Sequence, residues 1–156
     1  MSVLAVSLSL AACKPETKTA AEIAPQSVAA TDTVQRVSLT YKSAENYFIN
    51  NTVQETVPEK ITTQEAFDMY FGKAKTMAEN GLPTPVDFSK GFVIVADFGE
   101  TSRSVDMRPV SLEKAGDDLV FSYTAAEGEE AGFTSRPFLM VITDKQNEGN
   151  VIVQKQ

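Results

Sequence analysis

Residues 91–98, GFVIVADF, constrain the fold more than any other stretch of this 156-residue chain. Apolar residues occupy both alternating sets of positions, and Asp97 is the one charged residue among them. A strand with one solvated face alternates apolar and polar residues, whereas a strand covered on both faces is apolar almost throughout. We therefore expect a central strand here, in a sheet that is packed on both sides.

Patterns of period two continue towards the C terminus. Residues 104–112 alternate, and the alternation changes phase at Pro109. This change predicts a β-bulge or an edge position, because proline cannot donate a ladder hydrogen bond. The Gly-Asp-Asp sequence at residues 116–118 predicts a hairpin turn. Since the connections are short, we expect successive strands to pair antiparallel. The other expected strands are residues 37–41, 119–124, 137–142 and 151–153.

Residues 61–80 have the pattern of an amphipathic helix. Thr62 and Glu65 have the spacing of a capping box, and Ile61 is placed for a hydrophobic staple. Apolar side chains recur at steps of three or four at Phe67, Tyr70, Phe71, Ala74, Met77 and Ala78. The expected fold class is α+β: a mainly antiparallel sheet of about six or seven strands, with one long amphipathic helix packed on one face.

The N-terminal residues suggest a lipid anchor. Residues 3–12 are apolar or small and precede Cys13, the only cysteine. They are too few to span a bilayer, which takes about 20 apolar residues, but they match the core of a signal peptide. Leu-Ala-Ala-Cys at residues 10–13 resembles a bacterial lipobox, in which Cys13 carries a diacylglyceryl group. The alternative is a buried cysteine in an ordinary first helix or strand. Because no Lys or Arg precedes the apolar run, we expect the native reading frame to begin upstream of Met1.

A linker follows the cysteine. Residues 14–36 are rich in Ala, Thr, Pro and Gln, contain no aromatic residue and carry no net charge. Such a segment is typical of a flexible tether. The expected organisation is a lipoprotein signal peptide over residues 1–13, a tether over residues 14–36 and a single domain over residues 37–156.

The composition argues against several classes of function. The chain has no histidine, one cysteine and a net charge of −7. It therefore lacks the usual neutral-pH general base and the Cys/His clusters of zinc sites. A strongly acidic protein also repels nucleic acid. We expect a non-enzymatic protein with no cofactor, no metal and no nucleic-acid partner. One class of enzyme remains an alternative, namely one that uses carboxylates for catalysis. The candidate carboxylates are Glu127, Glu129 and Glu130.

Two polar segments, residues 99–104 and 127–136, are expected to be loops at the same end of the sheet. Aromatic residues and arginine are enriched where proteins bind each other. The alternative is that Phe133 covers the core and Arg136 pairs with a neighbouring acid. The candidate partner-binding residues are Thr101, Ser102, Arg103, Phe133 and Arg136.

Two short motifs resemble the C-terminal domain of the PrcB family of protease-complex accessory proteins. They are VDFSKGFVIVADFGETS at residues 86–102 and TSRPFLMVI at residues 134–142, within a resemblance that covers roughly residues 60–145. The matching positions are Asp87, Phe88, Ser89, Lys90, Gly99, Pro137 and Phe138. The family tends to have Thr-Gly-Gly-Tyr after the glycine, where this chain has Thr-Ser-Arg-Ser at residues 101–104. The resemblance implies a non-enzymatic domain that associates with, and stabilises, an extracytoplasmic protease.

The expected function is that of a lipoprotein anchored in the cell envelope, at the outer membrane by analogy with the family, that binds a protein partner such as a protease. Two alternatives stay open. One is a lipoprotein that binds a small ligand or a glycan, which would need a concave apolar pocket with convergent polar groups. The other is a protease-inhibitor-like module, because Arg136-Pro137-Phe138 resembles one loop of the chagasin-like inhibitors of cysteine proteases.

Overall fold

The computed structural model describes residues 35–75, 77 and 81–156. Cys13, the predicted signal peptide and all but the last two residues of the predicted tether lie outside the described residues. The first strand begins at Arg36. The elements in chain order are β1 (Arg36–Ser38), β2 (Lys42–Ser43), β3 (Tyr47–Ile49), β4 (Lys60–Ile61), α1 (Gln64–Tyr70), β5 (Phe71–Lys73), β6 (Gly91–Asp97), β7 (Thr101–Ala115), β8 (Asp118–Ser135), β9 (Phe138–Asp144), a 3-10 turn (Lys145–Asn147) and β10 (Asn150–Lys155).

The strands form two four-stranded sheets and one two-stranded sheet. The first sheet has the order β1-β7-β8-β10, the second has the order β2-β9-β6-β4, and β3 pairs with β5. All pairs are antiparallel except β10 with β8, which is parallel. The prediction that successive strands pair antiparallel is therefore wrong for β10, which follows β9 along the chain but joins the other sheet.

One long two-stranded ribbon connects the two large sheets. In the second sheet β6 pairs with β9 as far as Asp97 opposite Phe138. The pairing continues through the Phe98 N–H, which donates to the Pro137 carbonyl at 3.0 Å. It then becomes the β7–β8 pairing of the first sheet, which starts at Thr101 opposite Ser135 and ends at the turn after Ala115. We call residues 97–103 and 130–138, where the ribbon passes from one sheet to the other, the corner.

The ribbon's two halves pack against each other. Side chains from one face of β6 and β9 form a core with side chains of β7 and β8, and the set comprises Phe92, Ile94, Ala96, Val141, Leu112, Leu119, Phe121 and Tyr123. The opposite face of the second sheet packs against α1, β5 and neighbouring segments through Val93, Val95, Met140, Phe67 and Phe71. Strand β6 is thus buried on both faces, which confirms the central strand predicted at residues 91–98.

The predicted fold class, α+β with one long helix, is wrong because the described chain is mostly β and its α-helix spans only seven residues. The helix is capped by Thr63, whose side chain accepts from the Ala66 N–H at 3.2 Å, and not by Thr62. At Phe71 the backbone becomes extended and pairs with β3. The prediction of a single sheet of six or seven strands is also wrong, because the strands form two four-stranded sheets and one two-stranded sheet.

The pairing with β3 explains why the helix stops early. Phe67 and Phe71 are both buried in the same core, with ring centroids 5.2 Å apart. A helix that ends between these two residues and continues as a strand brings both rings to the same core, just as a continuous helix would. Aromatic residues also favour strands, and Gly72 lets the ring of Phe48 lie against the backbone of β5. Met77, predicted on the buried face, is fully exposed.

Two predictions about β7 are confirmed. The register with β8 shifts between Pro109 and Ser111, where the bulge was expected. The hairpin turn follows Ala115, and its Gly116 has a φ of 65° that suits glycine. The expected loops at residues 99–104 and 127–136 are instead mostly strand, since β7 begins at Thr101 and β8 continues to Ser135.

Candidate functional site

The corner is held by an ion pair between Asp97, at the end of β6, and Arg136, just before β9. The Nη2 of Arg136 lies 2.5 Å from Oδ2 of Asp97, and Nε donates to Oδ1 at 3.1 Å. The side chains are 4% and 16% exposed for Asp97 and Arg136. Two parallel hydrogen bonds between opposite charges hold both side chains in one orientation and are stronger than hydrogen bonds between neutral groups.

Arg136 also holds a neighbouring segment of the chain. Its Nη1 donates to the Val53 carbonyl at 3.2 Å, and its Nη2 donates to the Glu55 carbonyl at 2.7 Å. Asp97 accepts from the Val57 N–H at 3.3 Å. The pair therefore attaches the segment before β4 to the corner. The guanidinium of Arg136 thus makes its contacts inside the domain.

The pKa values follow from these contacts. Burial alone would raise the pKa of Asp97, but hydrogen bonds from Arg136 and from the Gly99 and Val57 N–H groups outweigh it and lower that pKa below its usual range. The hydrogen bond to Asp97 raises the pKa of Arg136 above its already high value. Both groups are charged throughout the neutral range.

The corner brings the two predicted polar segments together, as one ladder. Thr101 pairs with Ser135 and Arg103 pairs with Glu130, so residues 131–134 form a bulge opposite Ser102. The Thr101 hydroxyl accepts from the Arg103 N–H at 3.1 Å. The Arg103 guanidinium lies 3.8 Å from a carboxylate oxygen of Glu127 and 3.9 Å from one of Glu130.

Phe133 lies on this bulge and is 66% exposed. The preceding Gly132 has a φ of 75°, a backbone conformation that residues other than glycine rarely adopt. Phe138, by contrast, packs into the core with its ring centroid 5.2 Å from that of Phe71. Of the five candidate residues, Ser102, Arg103 and Phe133 are exposed at the corner and Thr101 is half-buried there, whereas Arg136 is held in the ion pair.

A groove of about 380 Å³ lies beside the corner. Its lining includes Tyr47 and Phe48 of β3, the amides of Asn51 and Gln54, and Glu100 of the corner. The groove was not predictable from the sequence, because residues 47–51, 53 and 54 of its lining carry no motif and join residues 134–136 only in the folded chain. It is more polar than the pocket expected of a small-ligand protein.

Three further observations concern metal ligands, membrane-spanning helices and the candidate carboxylates. Residues 35–75, 77 and 81–156 contain no cluster of acidic, histidine or cysteine side chains that could hold a metal ion. No helix in the same residues is long and apolar enough to cross a bilayer. The carboxylates of Glu127 and Glu130 lie on the ladder beside Arg103, and their side chains are 46% and 68% exposed.

Comparison with models of protein families, with curated proteins and with solved structures finds no match for this chain.

Proposed function

We propose that this chain is a lipoprotein anchored in the cell envelope through Cys13, and that its domain is a non-enzymatic module that binds another protein. The exposed part of the corner would make the contact. The observation that carries the proposal is that Arg103 pairs with Glu130, the residue directly before the bulge that bears the exposed Phe133. An arginine and an exposed aromatic ring on one rigid element are the residue types that dominate binding energy at protein interfaces.

The rigidity of the corner also supports binding. The Asp97–Arg136 pair lies within the corner and joins the two strands of the ribbon, because Asp97 ends β6 and Arg136 precedes β9. A contact surface that is already ordered loses less conformational entropy when a partner binds. For the partner we propose an extracytoplasmic protein, and a protease is the class that the family resemblance implies.

The test is a pull-down from detergent-solubilised envelopes with the lipidated full chain. We expect the double variant Arg103→Ala/Phe133→Ala to recover at least about tenfold less of the partner than wild type does, because the loss of two anchors costs more than about 1.4 kcal/mol. Met69→Ala is the matched control, since Met69 is 60% exposed but lies on α1. Equal recovery by the double variant would contradict the proposed contact.

A parallel arm tests the alternative of a small ligand or glycan. A glycan array probed with the same chain should give no saturable binding. Saturable glycan binding without recovery of any protein would overturn the proposal and favour the groove beside Asn51 and Gln54.

The anchor is tested separately. We expect a palmitate analogue to label the wild-type chain and to leave the Cys13→Ala variant unlabelled. Labelling that survives this substitution would contradict attachment at Cys13.

A further inference from the structure

One edge of β8 already accepts a parallel strand along part of its length. Strand β10 pairs with β8 from Asp118 to Tyr123, and the ladder ends where the Gln156 N–H donates to the Tyr123 carbonyl at 2.9 Å. Strand β8 continues to Ser135. In the described part of the chain no strand pairs with this edge beyond Tyr123.

The geometry of a strand identifies the groups on this free edge. The peptide groups of alternate residues point to the same side. Since the Tyr123 carbonyl points towards β10, the N–H and C=O groups of Ala125 and Glu127 lie on that side as well. The register with β7 is regular from Thr124 to Glu127, so no bulge reverses the alternation there.

Small side chains leave this edge accessible. Residues 124–128 read Thr-Ala-Ala-Glu-Gly, and β8 is exposed or half-buried throughout this stretch. A β-carbon at Gly128 would meet the Ser104 side chain, so the two strands approach closely here. An incoming backbone therefore meets few bulky groups.

The charges favour a basic occupant. Glu127, Glu129 and Glu130 supply three carboxylates along this part of β8, and Glu127 and Glu130 face one guanidinium, Arg103, at 3.8 and 3.9 Å. Lys155, at the end of β10, has its ammonium 5.2 Å from the ring centroid of Phe98. A second copy of this chain would bring the same carboxylates to the edge and be repelled.

We propose that β8 binds an extended, basic segment of the partner protein, which adds as a strand beyond the end of β10 and hydrogen-bonds to Ala125 and Glu127. In such strand addition the main chain supplies affinity and the side chains supply specificity. This inference rests on the proposed function and names the chemistry of its partner.

The test uses a capped peptide that alternates lysine and threonine, titrated into the isotope-labelled full chain. We expect the amides of Ala125 and Glu127 to become protected from hydrogen exchange. The same peptide with every backbone nitrogen methylated should not bind, because neither of its edges can then donate hydrogen bonds to the ladder. Equal binding of the methylated peptide, or protection elsewhere only, would overturn strand addition.

A charge variant tests the preference for a basic segment. We expect Glu127→Gln/Glu129→Gln/Glu130→Gln to bind the lysine–threonine peptide about tenfold more weakly at low salt, a loss of about 1.4 kcal/mol. Unchanged affinity would overturn the charge argument. If the envelope pull-down recovers a partner through Arg103 and Phe133 while the peptide does not bind, this inference fails and the proposed function stands. If the peptide binds to β8 while the pull-down recovers no protein, strand addition stands and the proposed function fails.

Discussion

The carboxylate of Asp97 and the guanidinium of Arg136 face each other across the corner, joined by contacts of 2.5 and 3.1 Å. Asp97 ends β6 and Arg136 precedes β9, so the pair lies where the ribbon leaves one sheet for the other. Two further bonds from Arg136 reach the carbonyls of Val53 and Glu55. One ion pair thus connects three segments of the chain within the corner whose exposed part is proposed to bind a partner.

Removing one member of this pair should destabilise the domain strongly. We expect Asp97→Ala to lower the free energy of unfolding by about 3 kcal/mol, because it leaves the guanidinium of Arg136 largely buried without its counter-charge. Urea denaturation followed by circular dichroism measures the loss. In the double variant Asp97→Ala/Arg136→Met the cost should be clearly less than the sum of the two single costs.

An exposed ion pair is the control for this prediction. Asp106 and Arg108 are in contact at 2.7 Å, but their side chains are 57% and 74% exposed. Solvent screens such a pair, so Asp106→Ala should lower the free energy of unfolding far less than Asp97→Ala does. Similar losses for the variants at Asp97 and Asp106 would contradict a special role for the corner.

The lowered pKa of Asp97 predicts a specific dependence of stability on pH. An unfolded aspartate has a pKa of about 3.9, and the folded value lies below it, so the unfolded chain binds more protons in this range. The stabilisation from Asp97 is complete well above pH 4 and is lost as the pH falls through the folded pKa. The difference in unfolding free energy between wild type and Asp97→Asn should therefore shrink as the pH is lowered below about 4.

Urea midpoints measured from neutral to acidic pH test this dependence. The carboxylates of Asp87 and Asp106, whose pKa values are also lowered by their hydrogen-bond partners, are present in both proteins and cancel in the difference. A difference that stays constant down to the most acidic condition would show that Asp97 is not the responsible group.

The strands of the core were predictable because burial dictates their composition. In β6, Phe92 and Ile94 contact one core and Val93 and Val95 contact the other, which explains an apolar run without alternation. The bulge in β7 was predictable because Pro109 cannot donate to a ladder. Both features express local chemistry that a single sequence carries.

The short helix and the corner depend on pairing between distant segments. The spacing of Phe67 and Phe71 fits a helix, and only the pairing of β5 with β3 turns the second of them into a strand residue. Residues 127–136 lack alternation because this part of the ribbon is exposed to solvent, so nothing in their pattern distinguishes strand from loop. The pairing of Arg136 with an acid was one of two alternatives, and the sequence could not name Asp97 as that acid.

Two glycines should respond differently to alanine. A β-carbon at Gly91 would lie 2.5 Å from the Thr143 carbonyl oxygen, which belongs to the paired strand and cannot move independently. At Gly72 it would meet the ring tip of Phe48, a side chain that is 46% exposed and can turn outwards. We expect Gly91→Ala to cost about 1–3 kcal/mol by overpacking and Gly72→Ala to cost clearly less. Thermal denaturation of the two variants gives the order, and the reverse order would contradict this account.

Two phenylalanines separate stability from binding. Phe121 is fully buried, with its ring centroid 6.3 Å from that of Tyr41 and 6.4 Å from that of Tyr123, so Phe121→Ala should lower the free energy of unfolding by about 3–5 kcal/mol. Phe133 is 66% exposed on its bulge, and Phe133→Ala should change stability by no more than about 0.5 kcal/mol. Urea denaturation of both variants measures these values. If Phe133→Ala unfolds the domain as readily as Phe121→Ala does, Phe133 covers the core, and its loss in a pull-down would no longer indicate a contact with the partner. If its stability is unchanged while recovery of the partner falls, the exposed ring acts at the interface itself.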